Sequence, residues 1–124
     1  MKIFKNTWFA RFARKEKISA LALWDAVERA ENGQIDADLG GGVIKQRIAR
    51  PGEGKSKGYR SIILFRKEEK SFFVYGFPKR QLGNIRDDEE EQFKAMAKYV
   101  LALTDDQLDQ LVANGQFEKV EKDD

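Results

Sequence analysis

Seven cations in the middle of the chain have the types and spacing to handle phosphate. Lys45 and Arg47 stand two apart in an alternating stretch, and Lys55 and Lys57 two apart in a glycine-rich one. Arg60 follows soon after, and Lys79-Arg80 closes the next apolar run. Ammonium and guanidinium groups gathered on one surface stabilise the charge that builds on a phosphorus centre during transfer. Without any chemistry they also hold a polyanion by its phosphates. Between Val43 and Arg86 there are 12 Lys/Arg against 3 Asp/Glu, a local charge of +9. Residues 1–41 carry only +1 and residues 87–124 carry −8, so the whole-chain value of +2 conceals a basic centre with an acidic tail. A compact basic surface is the electrostatic footprint of a phosphate-rich partner.

The rest of the composition narrows what such a site can do. The chain has no Cys and no His, which leaves no thiol nucleophile, no disulfide and no cysteine or imidazole metal ligand. Acid–base work near neutral pH must then fall to Lys, Tyr, Asp or Glu, since arginine stays protonated. Tyr59, Tyr75 and Phe77 are interleaved with the cations and offer flat faces for unpaired bases. The same residues also fit a merely solvated basic face, and charge alone does not separate the two.

One match to a nucleotide-binding motif is a decoy. Ala49-Arg50-Pro51-Gly52-Glu53-Gly54-Lys55-Ser56 satisfies a relaxed phosphate-binding P-loop pattern. That loop works by leading from a strand into a helix whose amino end faces the phosphates. Here Lys57-Gly58-Tyr59-Arg60 leads into another strand, so a flexible basic hairpin loop is the expectation.

The elements that must position these residues follow from periodicity. Lys2-Ile3-Phe4 predicts a short edge strand. A helix opens near Asn6 or Thr7 with Trp8, Phe9 and Phe12 on one face, as core packing. Ser19 predicts the cap of a second helix, with Leu21, Trp24 and Val27 recurring every three residues and Asn32-Gly33 ending it. After Gly40-Gly41-Gly42 the period changes to two. Val43 to Ala49 turns Ile44 and Ile48 to one side and Lys45 and Arg47 to the other. Tyr59–Arg66 and Ser71–Phe77 predict two further strands joined through Lys67–Lys70. Phe93, Met96, Ala97 and Val100 mark a helix with Asp87 to Glu91 in its first turn, and Thr104 to Gln107 forms a capping box for another.

The expected architecture is one α+β domain over residues 1–124. A small antiparallel sheet of about three to four strands (43–78) lies under an N-terminal strand and helical hairpin (1–38). Acidic C-terminal helices (87–114) and a frayed tail (118–124) follow. No apolar run reaches the roughly 20 residues of a membrane span and no leader pattern is visible, so the expectation is a soluble, cytoplasmic domain.

In this order and spacing, Lys45-Gln46-Arg47, Gly58-Tyr59-Arg60 and Lys79-Arg80 resemble the RelE/HigB toxins of bacterial toxin–antitoxin systems. The likeness is strongest over residues 39–86, and Gly52–Gly58 is similar to the glycine-lysine loop of the HigB-like branch. The resemblance implies a toxin that enters the ribosomal A site and cuts messenger RNA by attack of a ribose 2′-hydroxyl on the neighbouring phosphate, without metal or other cofactor. It implies Lys45, Arg47, Arg60 and Arg80 as the catalytic set, with Lys45 the base and the arginines holding phosphate. Lys55, Lys57, Tyr59, Tyr75, Phe77 and Lys79 would then contact RNA. The implied partners are the ribosome, its message and a cognate antitoxin, often of helix-turn-helix type, with no membrane and no small-molecule cofactor. The chain departs from the pattern at Gly83-Asn84-Ile85-Arg86, where RelE carries a tyrosine. Two other classes stay open: a non-catalytic nucleic-acid-binding module, and a gyrase-poisoning toxin of the ParE type.

Overall fold

The computed structural model describes residues 1–50, 54–78 and 85–122, with residues 55–57 given as backbone only. Asn6 ends strand β1 (Lys2–Asn6) and its Oδ1 accepts the Phe9 N–H at 2.8 Å, which opens helix α1 (Thr7–Glu16). Lys17, in the left-handed region at φ 58°, turns the chain. Ser19 then caps α2 (Ala20–Glu31) by accepting from Ala22 at 3.2 Å. Strands β2 (Ala37–Gly40), β3 (Val43–Arg50), β4 (Gly54–Arg66) and β5 (Lys70–Pro78) follow. The chain closes with α3 (Asp87–Val100), α4 (Asp105–Ala113) and β6 (Phe117–Lys119).

The small antiparallel sheet expected from the sequence is not what forms. One six-stranded mixed sheet runs in the order β2-β3-β4-β5-β1-β6. β1 is not an edge: it lies parallel to β5, with Phe4 opposite Phe72, and antiparallel to β6. Nor do helices cover one side alone. Ile63 of β4 joins Ile44, Ile48, Tyr59 and Phe73 beneath Phe9 and Ala13 of α1 and Leu23, Ala26 and Val27 of α2. Ile62 and Leu64 point the other way, with Val43 and Phe72, against Ala97 and Val100 of α3 and Leu108 of α4. A central strand apolar on both faces needs cover on both, and Ile62-Ile63-Leu64 imposes that here.

Three local expectations change with the fold. The buried stripe of α2 is Leu23, Ala26, Val27 and Ala30, whereas Leu21 is 61% exposed. The tail does not fray at residue 118: β6 pairs with β1, and Val120 is buried and donates its N–H to Ile3 O at 2.7 Å. Lys55 and Lys57 belong to β4, not to a loop, because pairing resumes at once with Arg50 opposite Gly54. A strand on both sides of residues 51–53 leaves no helix to complete a P-loop.

Two contacts bring the layers to their working distance. Gly42 in the β2–β3 turn has φ +83°, and a Cβ there would lie 2.7 Å from Leu101 Cδ1, so glycine lets α3 settle onto the sheet. Just past the same end of α3, Lys70 of β5 is buried and its Nζ donates to Leu103 O at 2.7 Å, satisfying a carbonyl beyond the helix end.

Candidate active site

Alternation along β3 sends Lys45 and Arg47 to the α3 side while Ile44, Gln46 and Ile48 face the helical hairpin. The intervening Gln46 fixes that strand. Its side chain is fully buried, donating to Ala26 O at 2.9 Å and Gln34 O at 3.0 Å and accepting the Asp36 N–H at 2.9 Å. Every polar atom of the amide is thereby used. Ser61 Oγ donates to Gln46 O at 2.8 Å and ties β4 to the same point.

On β4 the direct partner of Arg47 is Arg60, and that of Lys45 is Ile62. Lys45, Arg47 and Arg60, with Asp36 and Ala37 leading into β2, line an open cavity of about 210 Å³. Arg47 is exposed, and Lys45 and Arg60 are half-buried. Asp36 Oδ2 accepts the Arg47 N–H at 2.7 Å, and Arg29 from α2 donates to Arg47 O. Backbone is thus clamped from two sides beneath the guanidinium. The Lys45 ammonium sits below its usual pKa, first because burial disfavours its charge and second because Arg60 repels it; Glu90 on α3 acts in the opposite direction. Glu90 itself pairs with Lys94 at 3.2 Å, and the Lys94 stem packs over Gly41.

The sequence-predicted residues divide sharply. Lys45, Arg47 and Arg60 come together. Tyr75 shares their face, half-buried among the rings of Trp8, Phe77 and Phe93. Phe77 is the cross-strand partner of Arg60 but is only 7% exposed, so it supports the face from within and offers no stacking surface. Tyr59 lies on the opposite face, 2% exposed, edge-on to Phe12, with its OH donating to Glu16 O at 3.3 Å. Buried on the face opposite Arg60, as strand alternation places it, it presents no ring face for stacking. Lys79 and Arg80 lie outside the described residues, as do the side chains of Lys55 and Lys57.

Two further residues act on this cationic pair without a signal in the sequence: Asp36 on the Arg47 backbone and Glu90 on the Lys45 charge. Asp36 is placed there by β2, whose Ala37 pairs with Lys45; four residues were too few to show a strand period. Glu90 looks like an ordinary first-turn acid, and only the seating of α3 beside Lys45 sets it apart.

A family model of the RelE toxin of the RelE/RelB toxin–antitoxin system matches residues 1–120, nearly the whole chain. The chain belongs to the RelE toxin family. It is therefore the toxin member of a toxin–antitoxin pair, and a cognate antitoxin follows as its partner. A search of curated proteins finds no significant match. Among the described residues no helix is long and apolar enough to cross a membrane. The RelE match covers the segment that carries Lys45, Arg47 and Arg60 and both helical layers around it.

Proposed function

We propose that this RelE-family toxin is a ribosome-dependent endoribonuclease that cleaves messenger RNA in the A site and so stops translation in the cytoplasm. The observation that carries the reading is the convergence of Lys45, Arg47 and Arg60 on one open cavity, with Lys45 held below its usual pKa.

In this mechanism the neutral amine of Lys45 takes the proton from a ribose 2′-hydroxyl. The 2′-oxygen forms a bond to the adjacent phosphorus as the bond to the 5′-oxygen breaks. One product ends in a 2′,3′-cyclic phosphate, and the other leaves with a 5′-hydroxyl after taking a proton from water. Arg47 and Arg60 hold the phosphate and stabilise the charge on its equatorial oxygens; both keep their protons throughout. Arg80 is assigned to the same duty by the family resemblance, and Lys55, Lys57 and Lys79 to the RNA backbone. Tyr75 supports the face on which the substrate lies. A gyrase-directed toxin has no use for such a cavity.

The test is translation in vitro with purified toxin, followed by primer extension on the message. Cuts that appear only when ribosomes are present support the reading. An intact message during normal translation overturns it.

A further inference from the structure

Trp8 was expected in the core, yet it is 38% exposed. Its ring stacks on Phe12 at 5.3 Å and lies 4.6 Å from Tyr75. Arg11 and Lys15 follow Trp8 on α1 at helical spacing, so cation and ring alternate along one face. Trp8, Arg11, Phe12 and Lys15 together line an open cavity of about 350 Å³. Arg14, the neighbouring exposed cation, pairs with Glu118 at 3.6 Å; among the described residues Arg11 and Lys15 have no such partner.

A chain of side-chain contacts links this face to the Lys45–Arg47–Arg60 cavity. The Trp8 ring meets Tyr75, the Tyr75 ring meets Phe77 at 6.1 Å, and Phe77 is the strand partner of Arg60. The carboxyl ends of β1, β3 and β5 and the first turn of α1 meet at one end of the sheet.

We propose that Trp8, Arg11, Phe12 and Lys15 form a second RNA subsite, stacking a base of single-stranded RNA on Trp8 and holding its flanking phosphates with Arg11 and Lys15. The inference rests on the RNA reading of the neighbouring cavity. Alternating rings and cations match the alternating bases and phosphates of an unpaired strand. An acidic peptide would use the two cations and leave the indole without a partner.

The experiment uses the full chain and a short 2′-O-methyl oligoadenylate, which lacks the attacking hydroxyl and stays intact. Tryptophan fluorescence reports the contact, because the second indole, Trp24, is tied to Val120 O at 3.1 Å away from this face. The oligonucleotide should quench fluorescence in the wild type, and Trp8→Phe should abolish the quench. Arg11→Gln with Lys15→Gln should weaken binding several-fold and lower the log–log salt slope by about 1.4, the value for two phosphates on a single strand. A quench that survives Trp8→Phe, or an unchanged affinity and slope in the double variant, overturns the subsite. So does polyglutamate quenching Trp8 where the oligonucleotide does not, which would assign the face to an acidic protein. Because no cleavage is read, binding at Trp8 without any ribosome-dependent cutting would sink the nuclease and leave the subsite standing. Cutting without binding at Trp8 would do the reverse.

Discussion

Arg47 and Arg60 are direct cross-strand partners in the β3–β4 ladder, two like charges at the closest spacing a sheet allows. Like charges directly opposite each other on a sheet are destabilising. Arg47→Ala should therefore leave stability unchanged or raise it by about 0.5 kcal/mol while cleavage falls sharply. Urea unfolding beside a cleavage assay measures both. A large loss of stability would recast Arg47 as structural.

The charges around Lys45 set opposite pH responses. As a base Lys45 must be neutral, so cleavage should rise with pH through a pKa below that of an ordinary lysine. Arg60 lowers that pKa and Glu90 raises it. Arg60→Gln should then move the acidic limb of the rate profile to higher pH, and Glu90→Gln should move it to lower pH. Asp36, Arg47 and Lys94 remain in place in both variants. Shifts of the same sign in the two would rule out Lys45 as the titrating group, as would direct titration of its side-chain amine by NMR showing no change.

Gly58 holds the two strands at the separation the cavity needs. A Cβ there would sit 2.0 Å from Ile48 O and 3.0 Å from Arg50 N, both backbone atoms that no rotamer change can move. Gly58→Ala should force β3 and β4 apart beside Arg60 and destabilise the fold by about 2 kcal/mol or more, read as a lower midpoint in thermal or urea unfolding. A variant with wild-type stability and cleavage would contradict this close approach.

Gln46 lies behind the cavity, and its loss should be felt there. Gln46→Leu keeps the volume but orphans Ala26 O, Gln34 O and the Asp36 N–H. Each buried unpaired group costs about 1–3 kcal/mol. Partial rewetting of the Asp36 side makes a total of about 3 kcal/mol the expected outcome, together with faster amide exchange at Asp36 and Arg47. Protection as in the wild type would mean that β2 is held by other means.

Short-range signals were legible wherever one residue fixes one atom. Asn6, Ser19 and Thr104 each accept the N–H three residues on, as their types and positions foretold. Strict alternation likewise put Lys45 and Arg47 on one face. That rule also separates Tyr59 from Arg60, which are neighbours on a strand, so with Arg60 on the cavity face the alternation itself puts Tyr59 on the other. Sheet order was not available. Nothing local in Lys2–Asn6 says that it will lie parallel to a strand some 70 residues on, where Lys2 pairs with Lys70. β2 and β6 have four and three residues, too few for a period to declare itself. Trp8 and Phe9 share one apolar run, and only the packed helix decides that Phe9 is buried and Trp8 is not.

The most direct measurement is cleavage of a message on programmed ribosomes by the wild type, Lys45→Ala and the Arg47→Ala/Arg60→Ala double variant, with toxin binding to the ribosome followed in parallel. Loss of the base or of the phosphate-holding pair should slow cleavage by about 10²–10⁴-fold with only a modest drop in binding. The wild-type products should carry 2′,3′-cyclic phosphate and 5′-hydroxyl ends. Undiminished cleavage in either variant, or products with 5′-phosphate ends, would contradict the account.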